Sequence, residues 1–257
     1  MSVLKTTLMP LLLIILILGL AFIFSMLGLG GAMVYNPLMV WFGFDFKAVV
    51  VPTGLLLNGL TAASAAWVYY RHHLIDWHAG LPLMLAATVG APIGAFASQF
   101  IPTVWLMWAF AAAVLFAALR MLISSGAAEP ESARGSRRQR AIWGAGLGLG
   151  IGFIAGLLGV GGGFLIVPLL IFMGYPTKVA AATSAMAVAF SSFSGFLGHV
   201  AIGHVDWLLM LPAAIAVIIG SQAGARVMHS YMKPRQIKRI FAIVLLLIVT
   251  KWVWGLI

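Results

Sequence analysis

The chain has 257 residues, 63% of them hydrophobic and 8% charged, with a mean hydropathy of +1.12. A soluble domain carries about a quarter charged residues, so this composition excludes a soluble fold and describes an integral membrane protein. A net charge of +10 fits basic loops flanking membrane spans better than nucleic-acid binding, and the cysteine count of 0 excludes disulfides, thiolate metal sites and thiol redox chemistry.

The apolar runs exceed the ~20 residues that cross a bilayer, and none shows the short alternating pattern of a barrel strand. The expected fold is therefore an all-α bundle. The first run, Leu8–Leu27, follows Lys5. It is long for a signal peptide and lacks an A-x-A site before Gly28, so the expectation is a retained segment. It leads into "SMLGLGGAMVYNPLM" (Ser25–Met39), which has a counterpart in "GLLGVGGGFLIVPLL" (Gly156–Leu170) at a shift of 131 residues. Gly28, Gly30, Gly31 and Pro37 meet Gly159, Gly161, Gly162 and Pro168. The match then runs through Gly43–Lys47 against Gly174–Lys178. At a shift of 130 it continues with Trp77 against Trp207, Pro82 against Pro212, and "GAPIGA" (Gly90–Ala95) against "GSQAGA" (Gly220–Ala225). An ordered series of this kind is a fold-level signal.

Each copy holds four hydrophobic regions, about 7–43, 48–70, 79–98 and 103–123, then 141–174, 179–200, 207–226 and 238–257. The expected units are a first membrane repeat, 1–123, a basic linker, 124–140, and a second repeat, 141–257. If each copy made four simple spans, eight basic residues would lie on one side and seven on the other. If the glycines instead break the first region into two segments that return the chain to its starting side, twelve lie inside and only Lys5, Lys47 and Lys251 outside. That split obeys the positive-inside rule. Each copy then crosses an odd number of times, which predicts two inverted repeats of four to five segments with a cytoplasmic linker. Broken helices in inverted repeats are a common design of secondary transporters.

Glycines let a chain leave a helix and turn tightly. Unwound backbone and helix N-termini present N–H groups suited to an anion. The competing reading is packing, since small residues are ordinary at membrane helix interfaces. The duplication and the charge balance favour the broken-helix reading.

"GLLGVGGGFLIVPLLIFMGYPTKVAAATSAMAV" (Gly156–Val188) and the downstream "GHVDW…P…GSQAGAR" (Gly203–Arg226) resemble the sulfite exporter TauE/SafE family across nearly the whole chain. Copy one departs from copy two where "VPTG" (Val51–Gly54) stands for "ATSA" (Ala182–Ala185). The resemblance implies a multi-pass carrier in the bacterial inner membrane that moves small anions such as sulfite, sulfoacetate or related organosulfonates.

The candidate substrate-binding residues are the backbone of Gly28, Gly30, Gly31, Gly159, Gly161 and Gly162, together with Asn36, Thr53, Asn58, Thr183, Ser184, Ser191, His199 and Gln222. Ser184, Ser191, Gly195 and His199 form one helical stripe in copy two, and Thr53, Asn58, Thr61 and Ser64 a looser one in copy one. Polar side chains in a span face the bundle interior, although a hydroxyl also bonds readily to its own helix. Asn36 either offers its amide to an oxyanion or caps a helix. Asp76 and Asp206 precede Trp77 and Trp207 and read as helix caps at the interface. Lys47 and Lys178 start helices and either attract anions or snorkel to headgroups.

No carboxylate lies deep in a span. The coupling ion, a proton or sodium, is left open, with His199 the intramembrane group suited to a proton. No metal-ligand spacing and no cofactor motif occurs, and "GVGGG" lacks the GK[ST] ending of a nucleotide loop. With no G-x-S-x-G and no carboxylate pair, a membrane enzyme is the weaker alternative, and an anion channel is the other.

Overall fold

The computed structural model describes residues 2–45, 49–124, 136–200 and 207–256. Lys47, most of the linker, His204 and Asp206 lie outside the described residues, as does the side chain of His199. The described residues are helical, with no strand among them. In chain order the helices are α1 (Ser2–Leu27), α2 (Ala32–Trp41), α3 (Val51–Arg71), α4 (Trp77–Ala97), α5 (Thr103–Ser124), α6 (Arg137–Leu158), α7 (Gly163–Phe172), α8 (Thr177–Val200), α9 (Trp207–Tyr231) and α10 (Pro234–Leu256). Each half therefore has five helices where the apolar pattern reads four regions, because the glycines split the first. The short second members, α2 and α7, have 10 residues each. At 1.5 Å per residue neither reaches across a ~30 Å hydrocarbon layer. Among the described residues, five helices are long and apolar enough to span a membrane.

The halves exchange partners. Helix α4 of the first half packs along α6 of the second, α9 of the second packs along α1 of the first, and α3 and α8 cross each other. Glycine makes these approaches close. Gly90 and Gly94 of α4 lie against the carbonyls of Leu149 and Phe153 on α6, while Gly220 and Gly224 of α9 lie against those of Leu18 and Phe22 on α1. These are the same contacts under the 130–131 residue shift. On α6, Gly144, Gly148, Gly152 and Gly156 recur every fourth residue and press on the backbone of Ala79, Leu83, Ala87 and Ala91. The interleaved Gly146 and Gly150 face open space. Lipid offers no hydrophobic drive for helix association, so backbone-to-backbone van der Waals contact supplies it.

One end of the bundle is tied together by polar groups. Asp76 caps α4, accepting from the His78 N–H at 2.8 Å, and its other oxygen accepts from Arg140 Nη1, on the first turn of α6, at 2.8 Å. The rings of His72, just after α3, and His229, near the end of α9, stack with centroids 3.8 Å apart. Lys178, at the start of α8, donates from Nζ to the His229 carbonyl at 2.8 Å and so caps the end of α9. The end of α3, the starts of α4, α6 and α8 and the end of α9 thus share one end of the bundle. The start of α6 and the end of α7 flank one groove, so this pair leaves from and returns to the same end.

The glycine register gives a sharp expectation. Gly148→Ala forces α4 away from α6 and should cost about 1–3 kcal/mol, the usual range for overpacking. Gly146→Ala, on the open face, should match or exceed the wild type because alanine is the better helix former by up to ~1 kcal/mol. Thermal midpoints of the two purified variants in one detergent check this, and equal losses would remove the register argument.

Candidate functional site

The site is built where both first helices break. Helices α1 and α6 end in left-handed glycines, Gly28 at φ 69° and Gly159 at φ 66°, and Gly30 (φ 87°) and Gly161 (φ 68°) repeat the conformation two residues later. Only glycine adopts it without strain. A second constraint acts on the same residues. A Cβ on Gly28 would run into the backbone of Ala181 on α8, and one on Gly163 would meet Leu29 Cα at 2.8 Å and the Gly28 carbonyl at 3.0 Å. The two turns therefore abut, backbone against backbone, in the interior.

Asn58, fully buried on α3, holds them. Its Oδ1 accepts from the N–H groups of Gly31 at 2.5 Å and Ala32 at 2.7 Å, and its Nδ2 donates to Ser192 Oγ of α8 at 2.7 Å. Gly30 and Gly161 both pack on this amide. Asn58 thus caps the N-terminus of α2 from another helix, meeting two of the donors every helix start leaves open. The matching position in the second half is Ala189. It carries no acceptor, and among the described residues no side chain reaches the N–H groups of Gly162 and Gly163 at the start of α7.

The carbonyls that end α1 and α6 are tied across the halves. Ser184 Oγ donates to the Gly28 carbonyl at 3.0 Å, and Asn36 Nδ2 to the Gly159 carbonyl at 2.9 Å. The donors differ, but each comes from the opposite half. Asn36 Oδ1, which faces Gly54 of α3, and the Thr53 hydroxyl have no hydrogen-bond partner, although each residue is only 1% exposed. A buried polar group without a partner costs about 1–3 kcal/mol.

The structure thus gathers Gly28, Gly30, Gly31, Gly159, Gly161, Gly162, Asn36, Thr53, Asn58 and Ser184 around the paired turns. It directs the other candidates elsewhere. The Thr183 hydroxyl accepts from the Asp76 N–H at 3.1 Å, toward the polar end of the bundle. Ser191 donates to the Val188 carbonyl of its own helix at 3.2 Å. The Gln222 Oε1 accepts from Arg226, one turn on, at 3.2 Å. Two residues of the cluster escape the sequence pattern, Ser192 and Gly163. Ser192 lies eight residues after Ser184, about 80° further around the helix, so a stripe of two full turns drawn from Ser184 lands on Ser191 and passes it by.

A family model described as sulfite exporter TauE/SafE matches residues 11–252. Among curated proteins, the Bacillus subtilis "Probable membrane transporter protein YunE" is 30% identical over 248 residues, which covers 87% of this chain and 90% of that one. The Methanocaldococcus jannaschii "Probable membrane transporter protein MJ0441" is 25% identical over 237 residues, 86% of each chain. A segment of 45 residues is 47% identical to the Arabidopsis thaliana "Sulfite exporter TauE/SafE family protein 3", covering 18% of this chain and 10% of that one. No solved structure matches. With the family model spanning nearly all of its apolar helices, the chain belongs to the sulfite exporter TauE/SafE family of membrane transporter proteins.

Proposed function

We propose that the protein is a secondary transporter of a small anion, sulfite, sulfoacetate or a related sulfur oxyanion or organosulfonate, that works by alternating access between two inverted halves. The observation that carries this reading is the asymmetric pair of helix starts at the abutting glycine turns. The N-terminus of α2 is capped by Asn58, whereas the Gly162 and Gly163 N–H groups at the start of α7 have no side-chain acceptor. A helix start with open N–H groups in an interior of low dielectric is an anion site. The adjoining Thr53 hydroxyl is a further unengaged donor. The buried amide and hydroxyl groups of Asn36, Asn58 and Ser184 complete a cradle without a formal charge of its own.

The inverted arrangement is supported by the polar end of the bundle. The end of α3 lies with the start of its counterpart α8, and the start of α4 with the end of its counterpart α9. We assign that end to the cytoplasm of a bacterial cell and both chain termini to the outside, because the linker arginines, Arg71, Lys178 and the 226–239 cluster then share the inner face. Among the described residues, no nucleophile–base or paired-carboxylate arrangement accompanies the cradle, which favours transport over catalysis. A channel would need a continuous polar path, whereas the two turns are packed face to face.

Labelled sulfite and sulfoacetate provide the direct test. Flux into proteoliposomes should saturate and show counterflow, and rates equal to those of protein-free vesicles across a panel of such anions would defeat the reading. Asn58→Asp keeps an acceptor for Gly31 and Ala32 but sets a fixed negative charge in the cradle. It should lower anion flux at least about tenfold, while Asn58→Ala, which strands two buried N–H groups, should instead lower the thermal midpoint by the equivalent of about 1–3 kcal/mol. Unchanged flux in Asn58→Asp would place the substrate elsewhere.

Topology has an independent check, because the chain has 0 cysteines and single ones can be added cleanly. Ser136→Cys and Ser230→Cys should both react with an impermeant maleimide only from the cytoplasmic side, and Lys47→Cys only from outside. Labelling of residues 136 and 230 from opposite faces would end the inverted-repeat proposal.

A further inference from the structure

The groove flanked by α6 and α7 lies at the polar end of the bundle, away from the glycine turns, and nothing in the transport reading uses it. It has a volume of about 380 Å³ and is walled by Trp143 and Leu147 of α6 and by Leu169, Phe172 and Met173 around the end of α7, with Gln139 and Arg140 at its mouth. Its outer walls face away from the bundle: Trp143 is 61% exposed and Phe172 66%. One end is thus apolar and open to acyl chains, and the other is cationic.

The cationic end is incompletely satisfied. Arg140 spends Nη1 on Asp76 at 2.8 Å, but its Nε is buried with no hydrogen-bond partner. The Tyr175 hydroxyl lies beside Arg140 and Asp76, fully buried against the Arg140 guanidinium. Burial pushes this phenol up to about 12, with the Asp76 carboxylate adding to the shift and the Arg140 guanidinium opposing it, so it stays a neutral O–H donor. Arg137 and Arg138 are exposed in the same helical turn. Among the described residues, the charged groups at this corner are Arg140 and Asp76, with the His78 ring 3.7 Å from that carboxylate and Arg137 and Arg138 one turn or less away on the exposed start of α6.

We propose that this groove binds an anionic phospholipid of the adjacent leaflet, its phosphate at the mouth beside Arg140 and the exposed Arg137 and Arg138 and part of an acyl chain along Trp143, Leu147 and Leu169. Apolar walls that face the hydrocarbon select a lipid over a free anion. The basic first turn of α6 selects an anionic headgroup over a zwitterionic one, because among the described residues the carboxylate at this corner, Asp76, is already engaged by Arg140. Basic pockets between membrane helices at the cytoplasmic surface hold phosphate headgroups on this principle. The inference does not depend on what the protein carries.

Native mass spectrometry of the full chain, titrated with phosphatidylglycerol and with phosphatidylcholine of the same acyl chains, tests it. The wild type should retain phosphatidylglycerol about 10- to 30-fold more tightly, the preference expected of two surplus cationic side chains near the surface. Inorganic phosphate at about 10 mM should not displace it. The double variant Arg137→Gln/Arg138→Gln changes only exposed residues, so it should fold normally and lose most of the preference. Leu169→Trp, which fills the groove, should lower retention of both lipids. Equal retention of the two lipids by the wild type, displacement by inorganic phosphate, full preference in the arginine variant, or undiminished retention in Leu169→Trp would overturn the proposal.

Discussion

The structure depends on two stretches of helix-free backbone touching each other inside a membrane protein. Gly163 lies against Leu29 and the Gly28 carbonyl at distances that leave no room for a Cβ. Such a contact can form only if both chains turn there and neither carries a side chain. Unwound backbone in hydrocarbon is costly unless each N–H and C=O finds a partner, so the turns impose a requirement on every helix around them. Asn58 meets it for the start of α2, Ser184 for the end of α1 and Asn36 for the end of α6. Each of these side chains is buried, and the ties of Ser184 and Asn36 cross from one half to the other.

That crossing is the same device that governs packing at larger scale. The first helix of each half runs along the fourth helix of the other, with matched glycines at the contacts. Neither half completes its own bundle, so the halves meet over a long backbone-close seam rather than over a smooth face. Seams of this kind have few discrete arrangements. Helices α3 and α8, which carry Asn58 and Ser192, cross where the polar groups sit. Three hydrogen bonds of the cluster cross this seam, Asn58 to Ser192 at 2.7 Å, Asn36 to the Gly159 carbonyl at 2.9 Å and Ser184 to the Gly28 carbonyl at 3.0 Å.

Much of this was legible in the sequence because glycine has few reasons to recur. The duplication at 131 residues, the division into halves and the break in the first region of each follow from matched glycines, and the left-handed φ of Gly28 and Gly159 is the physical reason for the match. Other features depend on pairings that no local pattern carries. The glycines of α6 look alike in the chain, and only the four-residue spacing of Gly144, Gly148, Gly152 and Gly156 separates those that meet α4 from the two that meet nothing. Asn58 reads as one polar residue on a loose stripe. Its role as a cap comes from a helix 26 residues upstream that it meets in space. Gln222 shows the converse: an amide in an apolar span that satisfies itself on the next turn through Arg226 and has no part in the cluster.

The departures from symmetry carry the most information about function. Two copies of one unit, packed through matched contacts, would be expected to satisfy their turns in the same way. They do not. At position 58 an amide caps the helix start, and at the matching position 189 an alanine offers no acceptor. Asn36 faces Val167 across the repeat, and Thr53 faces Ser184, yet Ser184 finds the carbonyl of Gly28 while the Thr53 hydroxyl finds nothing. Symmetry alone would put Thr53 on the Gly159 carbonyl, the acceptor that Asn36 has taken. The second amide therefore displaces a hydroxyl from its natural partner and leaves it as a free donor in a dry interior. A bundle shaped for stability alone would shed that cost of about 1–3 kcal/mol by replacing Thr53 with valine. The Thr53 hydroxyl and the Gly162 and Gly163 N–H groups are all donors, so what the turns leave open is a set of hydrogen bonds that only an acceptor can meet.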